Sequence, residues 1–387
     1  MNFTKVLLLI TLSSTVIYIN AGSSYTNSVD FYGHHLNVSY DQQLASLKFY
    51  NLDQKEVTHK LDYYRNANLH ASISNLKNHI RHYALDDAAT SILIDKYASR
   101  ITSSSRSNQH TFVKYLVMKE LEYDVILSKT GSRLNCMGNL SFTPGRYIYI
   151  RYADKLYKDL NFANRKNQGK HLIFRDKKIT KRRIGRNTHS APRINANIAS
   201  KPVSFSFGVE KHSFNAESNA SLTEFLGDLP LFEVGHEFTD ISMSDEMNTS
   251  TIEYLSGQVE DRETLDAVRF LLAFVQQVVP YGSDYAKYGE ERFYYPEETI
   301  MAKSADCEDK AMLLAYLCKE VLDINTVGLF FKEDEHLSLG IEIPGYAPSG
   351  SFGYAGKTYV SCEPTARYPR LTQSEFNLQR ITEVIPL

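Results

Sequence analysis

Apolar positions recur with helical spacing through residues 62–101. Leu69, Ile73, Leu76, Ile80 and Tyr83 fall at alternating four- and three-residue steps, and Ala89, Leu93, Tyr97 and Ile101 continue at four. The pattern predicts two helices, each with one buried stripe. A serine-rich break, Thr102 to Ser107, separates them from a third expected helix carrying Phe112, Leu116 and Leu121 on one face. Tyr147 to Ile150 reads as a strand. Val203, Phe205, Phe207 and Val209 alternate with polar residues, which predicts a half-buried strand, and residues 200–258 read as a small β-rich module. A strong amphipathic helix is expected over 262–279, with Leu265, Val268, Leu271, Leu272, Val275 and Val278 inward and Pro280 as its stop. Beyond an aromatic loop (Tyr281, Tyr285, Tyr288, Phe293, Tyr294, Tyr295), Ala311 to Leu317 reads as helix. Residues 336–343 and 357–361 read as strands.

Composition narrows the class without naming a function. The chain has 387 residues, 43% hydrophobic and 23% charged, with a formal net charge of -2. That is enough apolar material for a large core and two or three domains, and too little net charge for a nucleic-acid binder. Four cysteines exclude a disulfide scaffold, and no Cys-x-x-Cys or His-Glu-x-x-His spacing suggests a metal site. No cofactor is implied. Residues 1–21 read as a secretory signal peptide, with Lys5 before the apolar run Val6 to Ile19 and small residues at Ala21 and Gly22. The expected protein is exported, periplasmic or secreted, with no membrane span once the signal is removed. The remaining boundaries are an N-terminal helical or α+β domain over 22–164, a basic segment with the β-rich module over 165–258, and a third domain over 259–387.

One charge anomaly stands out. Residues 165–193 carry eleven Lys and Arg against one acid, Asp176, with a core of Lys177, Lys178, Lys181, Arg182, Arg183 and Arg186. A solvated loop or hairpin accounts for such a run, and an anionic ligand such as phosphate or a charged glycan is the functional alternative.

The chemistry concentrates in Ser304-Ala305-Asp306-Cys307-Glu308-Asp309-Lys310, which leads straight into the 311–317 helix. Asp306 is a plausible N-cap, which places Cys307 in the first turn, where exposed backbone N–H groups favour a thiolate. Glu308 and Asp309 oppose that effect, so the thiol needs a cationic partner. His336 opens one expected strand, and Glu363 follows the end of another. If those strands are neighbours packed on the Cys307 helix, Glu363 orients His336 and His336 draws the thiol proton. Gln277 or an aromatic residue in 281–295 could complete an oxyanion hole.

The order of helix, aromatic loop, Asp-Cys-Glu-Asp helix, His strand and Glu-Pro-Thr strand resembles the transglutaminase-like superfamily, relatives of papain-like cysteine proteases. Phe274-Val275-Gln276-Gln277, Tyr281, Asp284, Pro296-Glu297-Glu298-Thr299 and Asp306-Cys307-Glu308-Asp309 are similar to exported bacterial members. The similarity covers about residues 262–370. It implies an α+β fold with a small antiparallel sheet packed on the nucleophile helix. It also implies a Cys, His, Asp triad, carried here by Cys307, His336 and Glu363. Ala305 stands where Gly is frequent and Glu363 where Asp is commoner. The implied activity is a cysteine hydrolase or acyl transferase on peptide or carboxamide bonds of a protein or peptide substrate, through a thioester. The alternative is an inactive module that binds a partner.

The N-terminal half carries an echo of this region. Met118-Lys119-Glu120 matches Cys318-Lys319-Glu320, which sets Ser107 on Cys307. After a two-residue shift, Tyr152-Ala153-x-Lys155-x-Tyr157 matches Tyr354-Ala355-x-Lys357-x-Tyr359 and Asn161 falls on Glu363. The expectation is a duplicated domain whose first copy has lost the triad. Cys136 and Cys318 are expected in the core, and a Cys318–Cys362 disulfide is conceivable.

Overall fold

The computed structural model describes residues 24–66, 69–102, 104, 107–142, 149–160, 169–185, 193–194, 197–229, 235, 239–284, 292–366, 371 and 378–387. The expected signal peptide, Arg186, Asn161, Tyr285 and Tyr288 lie outside them. The fold is α+β, and all its sheets are antiparallel.

The chain opens with a hairpin, β1 (Ser24–Phe31) and β2 (His34–Asp41), turned by Tyr32 and Gly33, both at positive φ. Helices α1 (Gln42–Ala45), α2 (Gln54–Asn66), α3 (Leu69–His82) and α4 (Asp87–Thr102) follow. The stripe of α3 is buried as its spacing requires, at Leu69, Ile73 and Leu76. Next come α5 (Asn108–Glu120) and a sheet of β3 (Val125–Thr130), β4 (Arg133–Gly138), β5 (Tyr149–Tyr152), β6 (Lys155–Asp159) and β7 (Leu172–Ile173), in spatial order β5-β6-β4-β3-β7.

The second half repeats the plan. A hairpin, β8 (Ile198–Phe207) and β9 (Glu210–Asn219), leads into α6 (Ala220–Asp228) and, after a single helical turn (Asp245–Met247) and a π turn (Asn248–Ile252), α7 (Glu253–Val259). Helices α8 (Thr264–Val278), α9 (Pro296–Met301) and α10 (Cys307–Leu322) precede a sheet of β10 (Thr326–Phe331), β11 (His336–Ile341), β12 (Phe352–Tyr354), β13 (Lys357–Cys362) and β14 (Glu383–Pro386). Its order is β12-β13-β11-β10-β14. Every strand therefore has its counterpart seven strands later, and α5 packs on β3 and β4 as α10 packs on β10 and β11.

Local detail supports the duplication. The β5–β6 turn is Tyr152-Ala153-Asp154-Lys155 and the β12–β13 turn is Tyr354-Ala355-Gly356-Lys357, with both central residues at positive φ in each. That is the turn geometry that matches the twist of the strands it joins. Ser107 and Asp306 each cap their helix by accepting the N–H three residues on. The equivalence Ser107 to Cys307 is thereby corrected by one residue: Ser107 corresponds to Asp306, and Asn108 corresponds to Cys307.

Two expectations on elements change. Residues 200–258 hold a single hairpin, and from Ala220 their described elements are helical. Val209 sits in the hairpin turn, 99% exposed, and ends the alternation that Phe207 closes. The basic segment is strapped onto the first half. Asp176 takes a two-point contact from Arg65 and a bond from Tyr115 Oη, while Lys177 pairs with Asp62, Lys178 with Glu120 and Glu122, and Arg182 with Asp87. Among the described residues, three of its eleven cations, Lys177, Lys178 and Arg182, are thus paired with acids of the first half, and Arg183 donates to the Leu140 carbonyl.

Helices α8 and α10 form the centre of the second half. In α10 every position from Asp309 to Cys318 is buried, because the sheet covers one side and α8 the other. All six residues of β11 are buried as well. A Cβ on Gly340 in that strand would come within 2.7 Å of the Phe352 ring and 2.9 Å of Val327, so only glycine lets β10, β11 and β12 close up there. Among the described residues no helix is long and apolar enough to cross a membrane.

Candidate active site

Three elements converge where α10 begins: the helix itself, the start of β11 and the end of β13. Asp306 and Asp309 form a reciprocal capping box. The Asp309 N–H donates to Asp306 Oδ1 at 3.3 Å, and the Asp306 N–H donates to Asp309 Oδ2 at 3.4 Å. This fixes Cys307 as the first helical residue.

A buried lysine locks α10 against α8. Lys310 Nζ donates to the carbonyls of Val275 (2.9 Å), Gln276 (3.3 Å) and Val279 (2.7 Å), which the α8 helix leaves without an internal donor. Burial lowers its pKa to about 8. From the same helix end, Gln276 Nε2 donates to the Glu363 carbonyl at 3.0 Å. One helix terminus therefore positions both the nucleophile helix and the strand end that carries the acid.

His336 and Glu363 meet directly. His336 Nε2 lies 2.9 Å from Glu363 Oε2, in a site where His336 is 8% and Glu363 1% exposed. Glu363 Oε1 accepts from Thr365 N–H at 3.1 Å and Thr365 Oγ1 at 2.5 Å. Burial works to raise the Glu363 pKa, but the bond and charge of His336 and the two Thr365 bonds outweigh it and hold the carboxyl below its ordinary range. Within the Glu-Pro-Thr segment, the threonine thus serves the acid.

Cys307, 4% exposed, faces the same strand, and its sulfur takes the Leu337 backbone N–H, one residue from His336. Its proton goes elsewhere. Sγ donates to Glu308 Oε2 at 2.8 Å. Burial, then the charge and hydrogen bond of Glu308, push the thiol pKa well up, with Asp306 adding to them. Of the two acids expected to oppose ionisation, Glu308 does so at contact distance. Asp309 is turned into the cap, and Tyr294 N–H donates to it at 2.8 Å.

Asp284, Asp306 and Asp309 bring carboxylate oxygens within 4.8 Å of one another, all buried. Backbone N–H groups of Arg292 and Tyr294 bond to two of them. Burial, then the Asp306 and Asp284 charges, push the Asp309 pKa well above the ordinary carboxylate range.

Gln277 is not brought to the site. Its amide clasps the Ser206 backbone on β8 instead. Tyr281 is brought there. Its backbone runs parallel to Ala305, two residues before the nucleophile, with Gly282 N–H bonded to the Ala305 carbonyl at 3.0 Å. The ring is 59% exposed, and its hydroxyl feels Cys307, Asp306, Glu308 and Glu363, which with burial raise its pKa. A cleft of about 500 Å³ opens beside the cap loop, lined by Thr223, Glu224, Arg292, Glu298, Lys303 and Ser304 among others. In it burial raises Glu298 to about 7.

Cys136, Cys318 and Cys362 are buried free thiols. Cys318 and Cys362 lie close enough to influence each other but are not bonded.

Comparison with protein-family models, with curated proteins and with solved structures finds no match to this chain.

Proposed function

We propose that the second half is a transglutaminase-like domain acting as a cysteine hydrolase or acyl transferase on peptide or carboxamide bonds. The observation that carries this reading is the buried His336–Glu363 pair at the strand ends, set against a cysteine at a helix start whose sulfur takes the N–H next to His336.

With Nε2 committed to Glu363, proton exchange runs through His336 Nδ1. The Cys307 thiol gives its proton to Nδ1, and the sulfur attacks the carbonyl carbon. The carbonyl electron pair moves to oxygen beside the Cys307 N–H, which at the first helical position has no intrahelical acceptor. Collapse expels the amine or ammonia, which takes the proton from His336 and leaves a thioester. Water or a second amine then resolves it, with His336 as base. The expected leader places this activity outside the cytoplasm, and a basic-segment ligand is no part of it.

Hydroxylamine intercepts a thioester whichever acceptor is natural. A casein digest incubated with the protein and hydroxylamine should yield hydroxamates, and Cys307→Ala or His336→Ala should reduce the yield by several orders of magnitude. Equal yields from the wild type and Cys307→Ala refute the activity. The second reading, a binding module without turnover, is favoured by one observation, the thiol held protonated by Glu308. It expects no hydroxamate from any of the proteins.

A further inference from the structure

We propose that Glu308 selects the substrate of this site: it holds the Cys307 proton at rest and surrenders it when a cationic group of the acyl substrate pairs with its carboxylate. The site then takes peptides or carboxamides that carry a positive side chain next to the scissile carbonyl. This deepens the reading of Cys307 as nucleophile and rests on it.

Three observations lead there. The thiol proton is committed to Glu308 Oε2 at 2.8 Å and not to the imidazole, although the sulfur already lies against the strand that His336 opens. A thiol held in this way is a poor nucleophile, and burial together with Glu308 disfavours its ionisation. Next, the site mouth is acidic. Besides burial, the carboxylates of Asp306, Glu308 and Glu363 act on the Tyr281 hydroxyl, each disfavouring a negative charge there. Finally, two nearby cations are turned elsewhere. Lys310 is spent on the α8 carbonyls, and the Arg292 guanidinium faces Glu298, 3.5 Å away. Among the described residues no Lys or Arg pairs with Glu308. Glu308 is also only half-buried, so a substrate cation reaches it without being stripped of all its water.

The switch conserves protons. The incoming cation pairs with the Glu308 carboxylate, the S–H bond turns from Oε2 to His336 Nδ1, and the proton crosses to give thiolate and imidazolium. No proton enters or leaves. An anionic substrate gains nothing at Glu308 and leaves the thiol protonated, so discrimination is built into activation as well as binding.

Small methanethiosulfonates test this without knowledge of the substrate. Each transfers its thiol fragment to the cysteine sulfur, forming a disulfide as methanesulfinate leaves. The full chain is treated near pH 7 with cationic (trimethylammonioethyl), anionic (sulfonatoethyl) and neutral (methyl) reagents, and the rate at Cys307 is read by mass spectrometry. The wild type should prefer the cationic over the anionic reagent by about tenfold or more, relative to a free thiol. In Glu308→Gln that preference should fall below about threefold, and the neutral reagent should react several-fold faster because no carboxylate holds the proton. About 0.5 M salt should shrink the wild-type preference, a check that needs no variant. A reactive Cys307 whose charge preference is the same in both proteins, or is insensitive to salt, overturns the selection and leaves the nucleophile standing. A Cys307 inert to all three reagents in both folded proteins overturns the nucleophile and the selection together.

Discussion

Replacing Glu363 by Gln tests the site at a single atom. In the wild type, Oε1 receives two donors from Thr365 and Oε2 faces His336 Nε2. Glutamine must put its NH2 group at one of these places. At the Oε1 position it would oppose the Thr365 N–H at 3.1 Å, leaving a buried donor unpaired at about 1–3 kcal/mol. At the Oε2 position it costs less, because the imidazole can answer by moving its proton from Nε2 to Nδ1. The amide will therefore face His336, and Nδ1, the nitrogen meant to accept the thiol proton, becomes a donor. Turnover should fall by a factor on the order of 10^3–10^4, while stability loses only the charge-assisted part of one hydrogen bond, about 1–2 kcal/mol. Two measurements separate these effects: hydroxamate formation with the casein digest, and nitrogen chemical shifts of His336, which distinguish the tautomers. Urea unfolding supplies the stability term. Glu363→Asp, retreating by about 1.5 Å with its charge intact, should fall between. If Glu363→Gln keeps turnover within about tenfold of wild type, or if its His336 stays protonated at Nε2, the assignment of Glu363 as the positioning acid is wrong.

Further consequences follow from the groups around the site. Glu298 holds its proton to about pH 7 when folded, against 4.5 for an exposed Glu. Between those values the folded chain binds the extra proton, so its contribution to stability falls as pH rises through that window and stays low above it. Glu298→Gln, which still accepts the Tyr295 N–H, should match wild type in urea unfolding near pH 4.5 and exceed it near pH 8 by up to about 3 kcal/mol; no difference at pH 8 sinks the assignment. Lys310→Met removes the ammonium from three buried carbonyls and should lower stability by about 2–4 kcal/mol. It should also speed hydrogen exchange in the first turn of α10, and an unchanged exchange rate there would show that the lysine does not anchor the helix. Glu297, 1% exposed, accepts from Ser218 Oγ, Asn219 N–H and both donors of Ser244, so Glu297→Ala should cost about 3–5 kcal/mol in the same unfolding experiment.

Some of this architecture is legible in the sequence because single local rules decide it. Pro280 ends α8, Asp306 caps α10, and the alternation after His336 marks a strand, since each depends on residues adjacent in the chain. The pairing of His336 with Glu363 is also within reach, once the two strands they bound are taken as neighbours. What escapes depends on side-chain direction. Helical spacing cannot reveal that Lys310 points into the core to cap another helix, or that the Cys307 proton turns to the next residue. Asp309 and Glu308 look equivalent as a charge pair beside the thiol, yet the capping box takes one and leaves the other. Gln277 and Gln276 are adjacent too, and only packing decides that Gln276 reaches Glu363 while Gln277 binds β8. The basic segment misleads for the same reason, because its partners lie on helices more than fifty residues away in sequence.

The duplicated frame shows how little of the site the fold itself demands. In the first half, Asn108 takes the first helical position. Its Oδ1 accepts the Leu134 N–H at 2.8 Å and its Nδ2 donates to the Ser132 carbonyl at 2.8 Å, so both ends of the amide are spent on closing the helix against β4. In the second half, Cys307 accepts the equivalent N–H, that of Leu337, through its sulfur. A thiol has one proton left to place and no amide to satisfy, and Glu308 takes it. Arg133 opens β4 where His336 opens β11, so the first copy offers no imidazole at that point either. One backbone N–H thus serves two purposes: in the first copy it completes a fully bonded structural joint, and in the second it steadies a sulfur whose proton can still move. On the reading proposed here, the first copy supplies packing, the second supplies chemistry, and the difference lies in what each helix-start side chain has left over after that shared hydrogen bond is made.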